Sequence, residues 1–195
     1  KKCIESSSLW SFGALFFIAS LMNGGTAILT GLLPTMLNEC GYTLGFGGFC
    51  NMLFGAGSSV GSITLGMAIR KIAPDKLILP GFAFGIALGA FYLAAAPLSA
   101  WYCIALFFMG MLLSGEYPVL VALSGTARGA FSPAIRSALI VGGAWGIAGA
   151  LLLPAGKIAA RFGLTASLAA ALGLYAAALT VAALTRRKKD VHFQK

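Results

Sequence analysis

The stretch that decides the fold runs from residue 8 to residue 37 and reads SLWSFGALFFIASLMNGGTAILTGLLPTML. It contains no Asp, Glu, Lys or Arg over 30 consecutive positions. A helix needs about 20 apolar residues to cross a bilayer, so this stretch is long enough to span one, either tilted or broken. The whole chain fits the same interpretation, since 59% of its residues are hydrophobic and only 10% are charged. Soluble domains carry about 25% charged residues, so the composition favours a membrane protein.

Five more apolar stretches follow the first. The six predicted spans are 8–37, 44–69, 77–97, 100–126, 135–157 and 163–185. The predicted connections are 38–43, 70–76, 97–99 and 127–136, with a short turn at 159–162. The fold class is therefore an all-α membrane protein, with one six-helix transmembrane domain over residues 1–185 and a basic cytoplasmic tail over 186–195.

The basic residues orient the predicted bundle. With the amino terminus inside, 12 of the 14 Lys and Arg residues fall on the inner side, and only Lys157 and Arg161 fall outside. Membrane proteins retain basic residues on the cytoplasmic side, so both ends are predicted to be cytoplasmic. This distribution explains the net charge of +9 without a nucleic-acid partner, because a basic patch needs a soluble face. Trp10, near the inner start of the first span, is expected to anchor that end at the membrane interface.

Small residues recur at helical spacing in three spans, and they predict close helix packing. In lipid, helices associate through packing, and small residues let two backbones approach. The residues concerned are Gly57, Gly61, Ser62 and Gly66 in the second span, Gly81, Gly85 and Gly89 in the third, and Gly142, Gly146 and Gly149 in the fifth.

Three stretches resemble the C-terminal half of a major facilitator superfamily (MFS) transporter. The segment from Gly61 to Lys76 resembles the loop pattern G-x-x-x-D-[RK]-x-G-[RK]-[RK], with Gly66 at its first glycine and Lys71 at a basic position. Arg70 and Ala73 stand where that pattern has an acidic residue and a second glycine, so this copy is degenerate.

The other two stretches follow in the family's order. The segment from Gly110 to Pro118 is similar to the small-residue and Tyr-Pro pattern of the tenth helix. The segment from Ser132 through Arg136 to Gly163 resembles the loop before the eleventh helix, that glycine-lined helix and the R-F-G turn after it.

The resemblance covers nearly the whole chain and implies a secondary active transporter. In such proteins two six-helix halves alternately open a central site to either side, here for a small organic solute with proton coupling (symport). The implied partners are the solute, the lipid bilayer and a second six-helix half, which is either a missing N-terminal half or another subunit. The implied location is a bacterial inner (plasma) membrane, crossed several times. The loop set implied to act in the conformational change is Gly66, Arg70, Lys71, Asp75 and Arg136.

Glu116 is the only acidic residue inside a predicted span. Intramembrane carboxylates are costly and usually functional. Gly115 and Pro118 bracket it, so the helix is predicted to bend there and to free backbone carbonyls. Two roles stay open for Glu116: proton coupling, or an ion pair with Arg128 or Arg136.

Three residues are candidates for substrate binding. Asn23 and Thr26 lie near the middle of the first span beside Gly24 and Gly25, where a broken helix would present them to a solute. The alternative for this pair is an interhelical hydrogen bond. Trp145 either lines a cavity or fills the bundle core. No arginine lies deep inside a span, since Arg136 falls at the very start of the fifth, so this half offers no fixed cationic clamp for an anion. Weaker candidates, interpreted as packing residues, are Asn51, Ser58 and Ser59.

The sequence does not favour an enzyme. His192 is the only histidine and lies in the tail, so no His-based catalytic or metal site is expected, and no cofactor is predicted. Cys40 and Cys50 flank one outer loop, and isolated thiols are favoured over a disulfide between them. The competing functions are a six-helix channel and a half-size protein that assembles with or regulates another membrane protein.

Overall fold

The computed structural model describes residues 10–95 and 103–193, with the backbone alone at Asp75 and at 187–193. The predicted connection at 97–99 lies outside these residues. The elements in chain order are α1 (Phe12–Glu39), α2 (Leu44–Ala68), α3 (Pro74–Ala94), α4 (Cys103–Met109), the π-helical turn π1 (Gly110–Ser114), α5 (Tyr117–Thr126), α6 (Pro133–Ala138), the π-helical turn π2 (Leu139–Gly143), α7 (Ala144–Phe162) and α8 (Leu164–Phe193). We call Cys103–Thr126 the fourth helix and Pro133–Phe162 the fifth helix.

Five helices in the described residues are long and apolar enough to cross a membrane. They are Phe12–Glu39, Lys76–Ala94, Cys103–Thr126, Pro133–Phe162 and Leu164–Arg186. The chain is thus an all-α membrane protein, as predicted. The predicted second span is present as α2, a helix of 25 residues without a charged side chain. It is not among the five, because its glycines, serines and Asn51 make it less hydropathic.

Local chemistry explains where several helices begin and end. The Ser11 hydroxyl accepts a hydrogen bond from Ala14 N at 3.2 Å, and Thr43 accepts one from Phe46 N at 3.2 Å, so each caps the helix that follows. The predicted turn at 159–162 is wrong, since α7 continues to Phe162. Gly163 alone ends that helix, and its φ of 87° lies in the left-handed region that favours glycine. The last helix continues past residue 185, because Lys and Arg are good helix formers.

The core lies around α1, which packs against α2, α7 and α8. Of its most apolar window 61% is buried, against 22% for the fifth helix, so α1 is central and the fifth helix is peripheral. Trp10 is buried and therefore does not anchor the membrane interface, contrary to the prediction. Its carbonyl instead accepts a hydrogen bond from Arg128 N at 2.9 Å, which ties the start of α1 to the loop after α5.

Glycines bring α2 and the fourth helix into backbone contact. A Cβ added at Gly57 would meet the backbone of Phe107, and one added at Gly61 would lie 3.0 Å from the Cα of Gly115. The predicted close packing is confirmed at these positions, and the third-helix glycines also have close neighbours. The prediction is wrong within the described part of the chain for four glycines, which have no neighbour within 4 Å: Gly66, Gly142, Gly146 and Gly149.

Candidate functional site

A cavity of about 360 Å³ lies between α1, α2 and the fourth and fifth helices. All three residues predicted to bind substrate line it: Asn23, Thr26 and Trp145. We call it the polar cavity. Its lining residues are Met22, Asn23, Thr26, Thr30, Asn51, Phe54, Gly55, Ser58, Ser62, Ser114, Tyr117 and Trp145. None of these described lining residues carries a charge.

Thr26 is the centre of a hydroxyl cluster. Its Oγ1 lies 3.0 Å from Ser114 Oγ and 2.6 Å from the hydroxyl of Tyr175, and it donates to the Met22 carbonyl at 3.1 Å. Tyr175 is completely buried, so this contact satisfies a hydroxyl that has no access to water. Thr26 therefore forms the interhelical hydrogen bonds that the alternative interpretation predicted, and it also lines the cavity.

The expected break at Gly24 and Gly25 is absent, and α1 runs through both glycines. A Cβ at Gly25 would lie 2.6 Å from Cε2 of Tyr175, and one at Gly24 would meet Leu151 and Leu174. The glycines let α7 and α8 pack closely against α1, and this packing outweighs their low helix propensity.

Asn23 forms fewer side-chain hydrogen bonds than Thr26, the other polar residue predicted in the middle of the first span. Its side chain is only 1% exposed, yet Nδ2 has no hydrogen-bond partner. It lies on the cavity wall and approaches the hydroxyl of Tyr117 without a well-formed hydrogen bond. A buried amide donor without a partner is costly, so a hydrogen-bond acceptor in the cavity would stabilise it.

Asn51 compensates for a proline in the neighbouring helix. Pro34 has no N–H, so the Thr30 carbonyl loses its partner within α1. Asn51 Nδ2 donates to this carbonyl from α2 at 2.6 Å, while Asn51 Oδ1 is buried without a partner. Asn51 is thus a packing residue, as predicted, but it also presents an unused acceptor. The signal in the sequence is the spacing of four residues between Thr30 and Pro34.

Tyr117 is a site residue that the sequence analysis treated only as part of a motif. Its hydroxyl donates to the Ile140 carbonyl at 2.7 Å and lies 3.1 Å from the Val141 carbonyl. Both carbonyls belong to π2, where the wider hydrogen-bonding pattern leaves a carbonyl free. Trp145 follows one turn later and is 46% exposed, so it lines the cavity and does not fill the core.

The fourth helix is interrupted where the sequence predicted it. Gly115 N donates to the Gly110 carbonyl at 3.1 Å in the i to i+5 pattern, and regular α-helix resumes only at Tyr117. Pro118 contributes to this break because it cannot donate to the Ser114 carbonyl. We call the segment from Ser114 to Tyr117 the break segment. Glu116 therefore lies where the fourth helix departs from regular α-helical geometry.

Glu116 does not line the polar cavity. It lines a second cavity of about 230 Å³ between α2, α3 and the fourth helix, with Lys76 also in the lining. The side chain is 1% exposed, and Oε2 has no hydrogen-bond partner. Gly81 provides the space for the carboxyl group, since an added Cβ would overlap Oε1.

The alternative partners of Glu116 are engaged elsewhere. The Arg136 guanidinium is buried and donates to the carbonyls of Ala127 and Gly125, at the end of α5. Arg128 is exposed. Glu116 is therefore not paired with either arginine, and the ion-pair prediction is wrong for the described side chains.

The structure describes only part of the loop set that was predicted to act in the conformational change. Arg70 and Lys71 are exposed in the turn between α2 and α3, and Gly66 lies in the last part of α2. The side chain of Asp75 lies outside the described residues. No ion pair joins Arg136 to the α2–α3 turn among the side chains that are described, because Arg136 serves to satisfy the carbonyls after α5.

The cysteines Cys40, Cys50 and Cys103 are free, so Cys40 and Cys50 do not form a disulfide. No group of three or more metal-ligating side chains occurs within the described ranges. Comparison of the chain with protein-family models and with curated proteins finds no match.

Proposed function

We propose that the chain is one six-helix half of a secondary active transporter, similar to the C-terminal half of an MFS protein, which moves a small organic solute by alternating access. The single observation that carries this proposal is the polar cavity. Asn23, Thr26 and Trp145 come from the first and fifth helices and converge there on one uncharged space. A cavity at mid-helix with a few convergent polar groups is typical of solute sites in transporters.

In this proposal α2 also crosses the membrane, which brings the number of spans from five to six, and both chain ends are cytoplasmic. Its 25 residues give a length of about 37 Å at 1.5 Å per residue, enough to cross the hydrocarbon core. It lies alongside the fourth helix from Gly57 to Gly61, as expected for two neighbouring spans. The charge distribution supports the orientation, with the plasma membrane (the inner membrane of a bacterium) as the location.

The proposed second half covers the open side of the polar cavity. Gly142, Gly146 and Gly149 form a small-residue face of the fifth helix with no neighbour within 4 Å, and Trp145 on the same helix is half exposed. Small residues on a membrane helix favour close contact with another helix. The loop set of Gly66, Arg70, Lys71, Asp75 and Arg136 then lies at the inner ends of the helices, where the two halves would rock.

Glu116 is the proposed proton-coupling group. Its carboxyl group is buried without an ion pair, and an unpaired charge at such a position is costly. The break segment links the two cavities, because Ser114 and Tyr117 line the polar cavity while Glu116 lines the other. A change in the charge of Glu116 would shift this segment and with it the hydroxyls that face the solute.

Cysteine accessibility tests alternating access without knowledge of the solute. In a chain whose four native cysteines are replaced by serine, a single cysteine is placed at Ser58, on the cavity wall. Ser59→Cys is the matched control, since Ser59 is the next residue on α2 and does not line the cavity. A membrane-impermeant maleimide is applied to intact cells and to inverted vesicles.

We expect Ser58→Cys to react from both sides and Ser59→Cys to react much more slowly from either side. Reaction of Ser58→Cys from one side only under all conditions contradicts alternating access. Reaction from both sides together with rapid passive swelling of reconstituted vesicles in small solutes favours the six-helix channel. Copurification of an unrelated chain in place of a second six-helix half favours the regulatory protein.

A further inference from the structure

The polar cavity has the chemistry to select its solute by charge and size. We infer that it binds an uncharged, polyhydroxylated solute of about monosaccharide size. This inference rests on the proposed function only in taking the cavity as the solute site.

The described lining of the cavity supplies no countercharge for an ion. Every described side chain that lines the cavity is neutral, and Glu116 and Lys76 lie in the second cavity. An ion enclosed in a space within the membrane without an opposite charge has a large desolvation cost. A neutral solute avoids this cost, so the cavity discriminates against carboxylates and ammonium groups.

Two buried amide groups supply a free donor and a free acceptor. Asn23 Nδ2 and Asn51 Oδ1 are both buried without hydrogen-bond partners, and both residues line the cavity. A buried polar group without a partner is rare in a folded protein and marks a place where a ligand or water completes the hydrogen bonding. A hydroxyl group both donates and accepts, so a polyol satisfies either amide.

The separation of the two amides sets the size of the solute. Asn51 binds the Thr30 carbonyl, and Thr30 lies seven residues after Asn23 on the continuous helix α1. At 1.5 Å per residue the backbone positions of Asn23 and Thr30 are about 10 Å apart along the helix axis, which sets the scale of the separation between the two amides. A solute that hydrogen-bonds to both amides is therefore small, of the order of one sugar ring. The cavity of about 360 Å³ accommodates such a ring.

The remaining lining groups fit the same class of solute. Ser58 and Ser62 place hydroxyl groups along the face of α2 that begins with Asn51. Trp145 is half exposed in the part of the wall formed by the fifth helix, where its flat apolar surface can pack against the C–H face of a sugar ring. The cavity therefore combines hydroxyl and amide groups with an aromatic surface.

The test uses three pyranoses of similar size: glucose, glucuronate with a carboxylate at C6, and glucosamine with an ammonium group at C2. Their binding to the purified full-length protein in nanodiscs is measured by equilibrium dialysis with labelled sugar, at free concentrations up to about 10 mM. We expect glucose to bind at least about tenfold more tightly than the two charged sugars. We expect Asn23→Leu and Trp145→Ala each to weaken glucose binding by about tenfold, as for one lost contact. Ser59→Ala, outside the cavity, leaves binding unchanged.

Three results overturn the inference: equal or tighter binding of a charged sugar, glucose binding that is insensitive to both cavity variants, or no glucose binding in this range. Each variant is first checked for an unchanged thermal unfolding curve, and Trp145→Ala keeps the test decisive if Asn23→Leu does not fold. Dialysis measures binding without transport. If glucose binds as expected while Ser58→Cys is labelled from one side only, the solute class stands and the transport proposal fails. If labelling alternates but only a charged sugar binds, the transport proposal stands and the solute class fails.

Discussion

The hydroxyl of Thr26 lies 3.0 Å from the hydroxyl of Ser114, across the interface between α1 and the fourth helix. Ser114 is two residues before Glu116, and both belong to the break segment. A residue of the central helix, in the wall of the polar cavity, is therefore directly joined to the segment that carries Glu116. This contact ties the α1 wall of the polar cavity to the segment that borders the second cavity.

The first prediction concerns this contact. Thr26→Val removes the hydroxyl that partners both Ser114 and the fully buried Tyr175. We expect a loss of stability of about 0.6–1.7 kcal/mol, the range for interhelical hydrogen bonds in membranes, measured as a lower midpoint of thermal unfolding in detergent. Thr26→Ser retains the hydroxyl and is the control. Equal unfolding midpoints for Thr26→Val and the unmodified chain would show that the cluster is not stabilising.

The second prediction concerns proline compensation. Asn51→Leu leaves the Thr30 carbonyl without a partner, because Pro34 supplies no N–H. In a Pro34→Ala background the helix restores its own bond, so the same substitution costs less. We expect a coupling free energy of about 0.5–1.5 kcal/mol in a double-mutant cycle of unfolding. Additive effects of the two substitutions would contradict a compensating role for Asn51.

The third prediction contrasts two glycines at helical faces. Gly57→Ala places a methyl group against the backbone of Phe107, which cannot move without separating α2 from the fourth helix. We expect a destabilisation of about 1–3 kcal/mol, seen as a lower unfolding midpoint and reduced yield of monodisperse protein. Gly142→Ala meets no atom within 4 Å and should leave the fold unchanged. The packing account fails if both variants unfold at the same temperature.

The fourth prediction concerns energy coupling. Glu116→Gln preserves the size of the buried side chain but removes its ability to carry a charge. We expect it to abolish accumulation of solute against a gradient while leaving exchange of solute across the membrane, in vesicles with an imposed pH difference. Glu39→Gln, at the exposed end of α1, is the control and should accumulate normally. Normal accumulation by Glu116→Gln would remove the proton role.

The helices were predictable from the sequence because their signals are local, and long charge-free stretches show where they lie. The start of α1 was not predicted, since the cap Ser11 begins the helix at Phe12 and not at residue 8. The interruption near Glu116 was also predictable, since Gly115 and Pro118 act on their own helix. The turn at Gly163 was misplaced, because Ala159, Ala160 and Phe162 give no sign of where α7 ends.

Pairings between helices could not be predicted from one sequence. Gly24 and Gly25 weaken a helix in isolation, but Leu151 and Tyr175 pack into the space that they leave. The sequence alone allows the Arg136 guanidinium to pair with Glu116, and only the folded chain places the carbonyls of Gly125 and Ala127 within its reach. The sequence identified Asn23, Thr26 and Trp145 one by one, whereas their position around one cavity depends on the packing of distant segments.

The most direct test of alternating access is the reaction of Ser58→Cys with an impermeant maleimide from each face of the membrane, with and without an imposed pH difference. If the polar cavity opens to one side at a time and Glu116 couples it to protons, the reaction rate must rise on one side as it falls on the other. In a chain that also carries Glu116→Gln, the pH difference should no longer change the two rates. Two results would contradict the account. One is a pair of labelling rates that rise and fall together on both sides, and the other is a pair of rates that the pH difference does not change when Glu116 is unmodified.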